Sequence, residues 1–149
     1  TGRAFCALNK DKKIVATWGQ TSYGSDIGYS NSGLFSESDL INIKNVYGSS
    51  SHFIAENYSN TAYAWGQYGQ RLYTNVSNIT CSAKSWAILK QDGTVECGGQ
   101  DTYGGTIPAH IAPQLTNVVK IFASIYSFTA LKNDNSIRGV ILRGKNNIF

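Results

Sequence analysis

The sequence predicts an all-β repeat protein built from short antiparallel strands, and two recurrences carry that reading. The first is a segment running from asparagine to serine: Asn42-Ile43-Lys44-Asn45-Val46-Tyr47-Gly48-Ser49, Asn75-Val76-Ser77-Asn78-Ile79-Thr80-Cys81-Ser82 and Asn117-Val118-Val119-Lys120-Ile121-Phe122-Ala123-Ser124. In each, two β-branched residues stand three apart and a serine closes the segment. The second is an aromatic residue at a constant offset after each of those serines: Phe53, Trp86 and Phe128. Recurrence at this spacing marks a supersecondary unit that buries its apolar face by stacking on neighbouring copies.

Each aromatic opens a hairpin. The copies are Phe5-Cys6-Ala7-Leu8-Asn9-Lys10-Asp11, Trp86-Ala87-Ile88-Leu89-Lys90-Gln91-Asp92-Gly93, Phe128-Thr129-Ala130-Leu131-Lys132-Asn133-Asp134-Asn135, and the less regular Phe53-Ile54-Ala55-Glu56-Asn57. Asp-Gly and similar pairs accept the positive φ that a hairpin turn needs. Return strands follow, Ile14-Val15-Ala16-Thr17-Trp18-Gly19 and Ala62-Tyr63-Ala64-Trp65-Gly66, whereas Thr94-Val95-Glu96-Cys97-Gly98 places a cysteine where tryptophan stood. A glutamine and a Tyr-Gly pair come next: Gln20 with Tyr23-Gly24, Gln67 with Tyr68-Gly69, Gln100 with Tyr103-Gly104. Glycine permits a turn that other residues resist, and the tyrosine ring is expected to seal one repeat against the next. The large aromatics at the strand ends are expected to supply the buried area.

These copies divide residues 1–149 into a single repeat domain with repeats of approximately 1–41, 42–74, 75–116 and 117–149. Charged residues make up 15% and apolar residues 42% of the chain, which excludes a disordered tail. No apolar run is long enough for a membrane helix, so no membrane span is expected. The chain has no methionine and starts at Thr1, so it reads as a fragment of a larger chain or a processed product. Both ends carry the same half of the repeat, which points to an excerpt of a longer array or to copies that associate. Net charge is +4, with Arg3, Lys10, Lys12 and Lys13 near one end and Lys132, Arg138, Arg143 and Lys145 near the other. No basic stripe with interleaved aromatics is present, and no nucleic-acid partner is expected. Cys6, Cys81 and Cys97 fit no zinc spacing and read as buried thiols, with one disulfide plus a free thiol the alternative.

Taken together, the hairpin and its Trp-Gly return resemble the repeat of the regulator of chromosome condensation family, with its A-L-x-x-D-G-x-[VL]-x-x-W-G-x-x-x-x-G signature. Leu89-Lys90-Gln91-Asp92-Gly93-Thr94-Val95 carries the closest fit, and Val15-Ala16-Thr17-Trp18-Gly19 keeps the return. The likeness is strongest to the divergent bacterial version ending W-G-x-x-x-Y-G, which the family also places in secreted or surface proteins. It implies a β-propeller of antiparallel blades, here about three blades plus one extra hairpin. A β-trefoil is the rival architecture, but it requires threefold internal repetition.

Catalytic candidates are thin, and neither an enzyme activity, a cofactor nor a bound metal is expected. His52 precedes a core aromatic, where a hydrogen-bonded structural histidine is the default. The expected function is a non-enzymatic protein-binding or assembly module, part of a secreted or cell-surface adhesive protein, whose partner is another protein or a copy of itself in a homo-oligomer. Alternatives are a cytoplasmic propeller that docks a small GTPase, as in the guanine-nucleotide exchange branch of the family, or a ubiquitin-pathway partner, and a carbohydrate-binding trefoil-like module. Binding residues are sought where the repeat length is broken: Tyr29 and Phe35 in the insert Ile27–Phe35, and His110 in the loop after Pro108. Asn57, Asn75 and Asn78 head N-x-[ST] sequons that would accept glycans in a eukaryotic secretory route.

Overall fold

A computed structural model describes residues 1–11, 14–28 and 33–141. It forms two compact units, Thr1–Asn75 and Val76–Phe149. In the first, β1 (Ala4–Leu8) pairs with β2 (Ile14–Gly19), and β3 (Ile43–Gly48), β4 (His52–Asn57), β5 (Ala62–Gly66) and β6 (Arg71–Tyr73) make a four-stranded sheet. In the second, β7 (Val76–Cys81), β8 (Ser85–Lys90) and β9 (Val95–Gly99) make one three-stranded sheet. Its other sheet consists of β10 (Val118–Ala123), β11 (Ser127–Lys132) and β12 (Ile137–Ile141). Every sheet is an antiparallel meander in chain order. One hairpin and three fuller blades are thus what the four repeat copies build.

The recurring asparagine is a backbone device. Asn42, Asn75 and Asn117 have φ of 53°, 56° and 56°, the left-handed region that asparagine tolerates better than most side chains. Each then enters a strand whose pairing register shifts between Ile43 and Asn45, between Val76 and Asn78, and between Val118 and Lys120. A bulge adds one residue to one strand and thereby reverses its in-out alternation. That is why the apolar pair is spaced by three and not two: Val76 with Ile79 and Val118 with Ile121 are all buried, as is Ile43, with Val46 half-buried.

The recurring serine closes the turn into the second strand. Backbone N–H groups of Ser49, Ser82 and Ser124 donate to the carbonyls of His52, Ser85 and Ser127 at 3.0, 2.9 and 2.9 Å. The hydroxyls of Ser82 and Ser124 accept from the amides of Ser85 and Ser127, both at 3.2 Å. Thr1 does the same in the first repeat, its Oγ1 accepting from the Ala4 amide at 2.7 Å, and Phe5 follows at the usual offset. Threonine replaced serine there without losing the hydroxyl, which extends the pattern to all four repeats.

The Trp-Gly glycine is fixed by a close backbone approach. Gly19, Gly66 and Gly99 have φ of 117°, 133° and 104°, and a Cβ at any of them would collide with the carbonyl oxygen of Arg3, Ser51 or Lys84. The following amide, of Gln20, Gln67 or Gln100, donates to that same carbonyl at 2.8, 3.0 or 3.1 Å. This corrects the third repeat. Trp86 pairs with Gly98 and Ser85 with Gly99, as Phe53 pairs with Trp65 and His52 with Gly66. Gly98, not Cys97, therefore stands in the tryptophan position, because the left-handed turn at the Lys84 carbonyl belongs to Gly99. The hairpin turns place their single left-handed residue at Asn60, Gly93 and Asn135, with φ of 58°, 78° and 64°. The amides of these residues donate to Asn57, Lys90 and Lys132 carbonyls at 3.2, 3.0 and 3.0 Å.

His52 occupies the position held by Ala4, Ser85 and Ser127 in the other repeats. It is buried, its ring nitrogens 3.0 Å from Ser49 Oγ. Burial pushes its pKa down from 6.5 to about 3. Folding therefore favours the neutral ring: that stability is complete above pH 6.5 and is lost as pH falls toward 3, at about 1.4 kcal/mol per pH unit. Urea midpoints measured from pH 7 to 4 are expected to fall, and His52→Ser to remove most of that slope. Gly66→Val is expected to cost about 2 kcal/mol or more in the same assay, and Asn42→Gly to be near neutral.

Candidate functional site

Within each unit, successive repeats meet through a glycine and a ring. In unit Thr1–Asn75, Gly24 has φ 99° and a Cβ there would lie 2.9 Å from Cδ2 of Phe53. Trp65 packs beside that ring with centroids 5.6 Å apart, and its indole Nε1–H donates to the Gly24 carbonyl at 3.0 Å. In unit Val76–Phe149, Gly104 has φ 90° and a Cβ there would lie 2.7 Å from Cδ2 of Phe128. Turn meets turn as well: the amide of Gly2 donates to Ser50 O at 3.0 Å, and that of Ala83 to Ile125 O at 3.3 Å. The glycine of the Tyr-Gly pair is thus the seat of the next repeat's aromatic. The tyrosines line the same junctions: the Arg3 guanidinium lies 5.1 Å over Tyr23, and Tyr103 packs against Tyr126 with centroids 5.0 Å apart and rings tilted by 42°, Lys84 Nζ lying 5.2 Å over the Tyr103 ring.

The insert between the first two repeats is folded onto the core. Ile27, Phe35 and Leu40 join Ala4, Ile43, Phe53, Ala55 and Trp65 in one apolar cluster. Its backbone is held by a residue that the sequence reading did not single out. The buried Gln70 donates from Nε2 to the carbonyls of Ile27 and Phe35, both at 2.8 Å, and accepts from the Leu34 amide at 3.1 Å. A polar residue at the foot of a short strand, distant in sequence from the insert, carries no local signal of that role. In the other unit, Leu115 is buried and Ile107 and Ile111 pack against a cluster formed by Ala87, Leu89, Val118, Ile121, Phe128 and Ala130. Leu40 and Leu115 stand at the same offset before Asn42 and Asn117, so both long connections are anchored by a leucine at their ends.

The residues expected at a binding site are placed very differently. Tyr29 lies outside the described residues. Phe35 is 7% exposed, its ring meeting Tyr63 edge-on at 5.1 Å and Trp65 at 6.5 Å. Its side chain belongs to the core, and the neighbouring Leu34, 50% exposed, is what that end of the insert presents to solvent. His110 is exposed, in a loop closed by Ile111 and Ala112 amides on the Pro108 carbonyl at 2.9 and 3.0 Å. The two loops sit in different compact units. Of the sequon asparagines, Asn75 and Asn78 are exposed. Asn57 is buried, and its Oδ1 accepts from the amides of Ser59 and Thr61 at 3.0 and 2.9 Å, so its side chain is committed to the hairpin turn.

The three cysteines are free thiols of intermediate exposure. Burial pushes Cys6 up to about 11 and Cys81 and Cys97 up to about 12, so all are protonated and poorly nucleophilic near neutral pH. Among the described residues no cluster of His, Cys, Asp and Glu could hold a metal ion, and no helix is long and apolar enough to cross a membrane.

No protein-family model matches the chain, and no curated protein matches it. Solved structures do. The structure of Kap60 bound to yeast RCC1 (Prp20) matches over 93% of this chain at 14% identity and a TM-score of 0.60, covering 41% of the matched chain. Prp20p from Saccharomyces cerevisiae matches over 92% at 15% identity and 0.57, covering 43% of its chain. Human WBSCR16 matches over 92% at 15% identity and 0.54, covering 45%. The chain thus has the fold of regulator of chromosome condensation type β-propeller repeats and spans less than half the length of the structures it matches. The trefoil alternative is set aside by that match and by the four hairpins.

Gln70→Ala would leave two buried carbonyls and an amide without their partner, and is expected to cost about 2 kcal/mol or more. Phe35→Ala is expected to cost about 3 to 5 kcal/mol, whereas Leu34→Ala is expected to be within about 0.5. Urea unfolding of the three variants checks all three values.

Proposed function

We propose that the repeats form a non-enzymatic module that binds another protein, with a separate contact surface in each unit on the long connection that breaks the repeat. One observation carries this reading: Gln70 and the buried Ile27, Phe35 and Leu40 fix the insert to the core while Leu34 and Ile41 are left about half exposed. A loop pinned at its base loses little conformational entropy when it binds, so apolar side chains on it are suited to contact. The exposed His110 loop supplies a second, more polar contact. A place in a secreted or cell-surface protein remains the preferred setting, with Asn75 and Asn78 the residues free to carry glycans.

A second reading has specific support. Prp20p is described together with its binding properties to Gsp1p and histones, and RCC1 (Prp20) as bound by Kap60. Docking of an intracellular partner of that kind fits the fold equally well. The two readings separate on a direct assay. Leu34→Glu combined with Ile41→Glu and His110→Ala, in a protein whose urea midpoint is unchanged, is expected to abolish capture of the native partner by the immobilised chain. Undiminished capture would remove the loop surface. Acceleration of nucleotide release from a small GTPase by the chain would give the second reading precedence.

A further inference from the structure

The first repeat shows an aromatic pair whose counterpart in the second repeat is completely covered. Phe5 and Trp18 face each other across β1 and β2 as Phe53 and Trp65 do across β4 and β5. The separations are alike, with ring centroids 5.5 Å apart in one pair and 5.6 Å in the other, and interplanar angles of 15° and 35°. Exposure is not. Phe53 and Trp65 are 5% and 0% exposed, Phe5 and Trp18 are 59% and 51% exposed. The second pair is covered by the Tyr23-Gly24 turn, which seats Phe53 on a bare glycine and offers its carbonyl to the Trp65 indole, together with Phe35 of the insert, whose ring meets Trp65 edge-on. Among the described residues, no such turn lies on Phe5 and Trp18. Leu8, on the same hairpin, is exposed as well.

We propose that the Phe5–Trp18 pair is a docking surface for the Tyr-Gly turn of a further repeat of this kind, one outside the residues Thr1–Phe149. The occupant is specified by the covered pair: a left-handed glycine to lie under the phenyl ring, with a free carbonyl to accept the Trp18 indole N–H. A second copy of this chain fits poorly on two counts. Its fourth repeat pairs Val140 with Phe128 and Ile141 with Ser127 where Trp-Gly would stand, and the positions at which Tyr-Gly follows in the other repeats hold Arg143-Gly144 or Lys145-Asn146. The fourth repeat also bears Lys120, Lys132 and Arg138, the same sign as Arg3 and Lys10 of the first. The rim of the occupying repeat is accordingly uncharged or acidic. This surface is separate from the long connections of the proposed binding module, and either stands without the other.

The test places a defined repeat in reach of the pair. Residues 42–81 of the chain, with Trp65→Phe in the added copy so that no further tryptophan is introduced, are joined ahead of Thr1, which sets their Tyr68-Gly69 as far before Phe5 as it lies before Trp86 in the chain itself. Of the three tryptophans, Trp65 and Trp86 are buried, so acrylamide quenching of the native emission reports Trp18. The expected result is loss of the quenchable component with a blue shift in the extended protein, and its return when the glycine of the added copy alone carries Gly69→Val. Preserved protection of Trp65 and Trp86 shows that the extended protein is folded. A folded extended protein with Trp18 still quenchable overturns the proposal. So does protection of Trp18 in a dimer of the unextended chain, which would assign the surface to a second copy.

Discussion

The seat that a left-handed glycine offers to an aromatic ring of the following repeat is the contact on which each unit depends. Gly24 under Phe53 and Gly104 under Phe128 are the same joint made twice, in separate units. It couples a backbone requirement to a packing requirement. A side chain at the glycine would be strained at positive φ and would also occupy the volume of the ring, so the two penalties fall on the same residue. The aromatic in turn provides apolar burial worth roughly 2 to 3 kcal/mol, which a short three-stranded sheet cannot obtain alone.

Around that joint, polar residues settle backbone groups that the sheet cannot pair. Serine or threonine hydroxyls cap the first turn, the amide after each Trp-Gly or Gly98-Gly99 pair takes the carbonyl two residues past that hydroxyl, and asparagines absorb the left-handed positions. Low charge and abundant Asn, Ser and Gly, which by composition alone could signal an adaptable binding surface, are therefore largely consumed by architecture. What remains for recognition is the residue set that does not recur: the exposed parts of the long connections and the uncovered pair on the first hairpin.

Much of this was legible in the sequence because the repeats are four readings of one structure. Offsets between serine and aromatic located the strand pairs, and the spacing of three between β-branched residues recorded the bulge before its geometry was known. Four features escaped for physical reasons. Thr1 substitutes for serine through a shared hydroxyl, which identity-based alignment does not score. Cys97 falls one residue before the tryptophan position, because two adjacent glycines leave that position without a side chain to mark it. Phe35 sits in an insert, where amphipathic contact with a distant core has no periodicity to reveal it, and the glutamine that holds that insert is equally silent.

The most direct test of the glycine seat is the proton chemical shift of the Gly24 and Gly104 α-protons in the folded protein. A proton this close to a phenyl ring feels its ring current, so both glycines are predicted to show α-proton shifts displaced from those of ordinary glycine and to return to them when Phe53 or Phe128 is replaced by leucine. Ordinary shifts for both glycines in the native protein would contradict the account, since no ring would then occupy either seat.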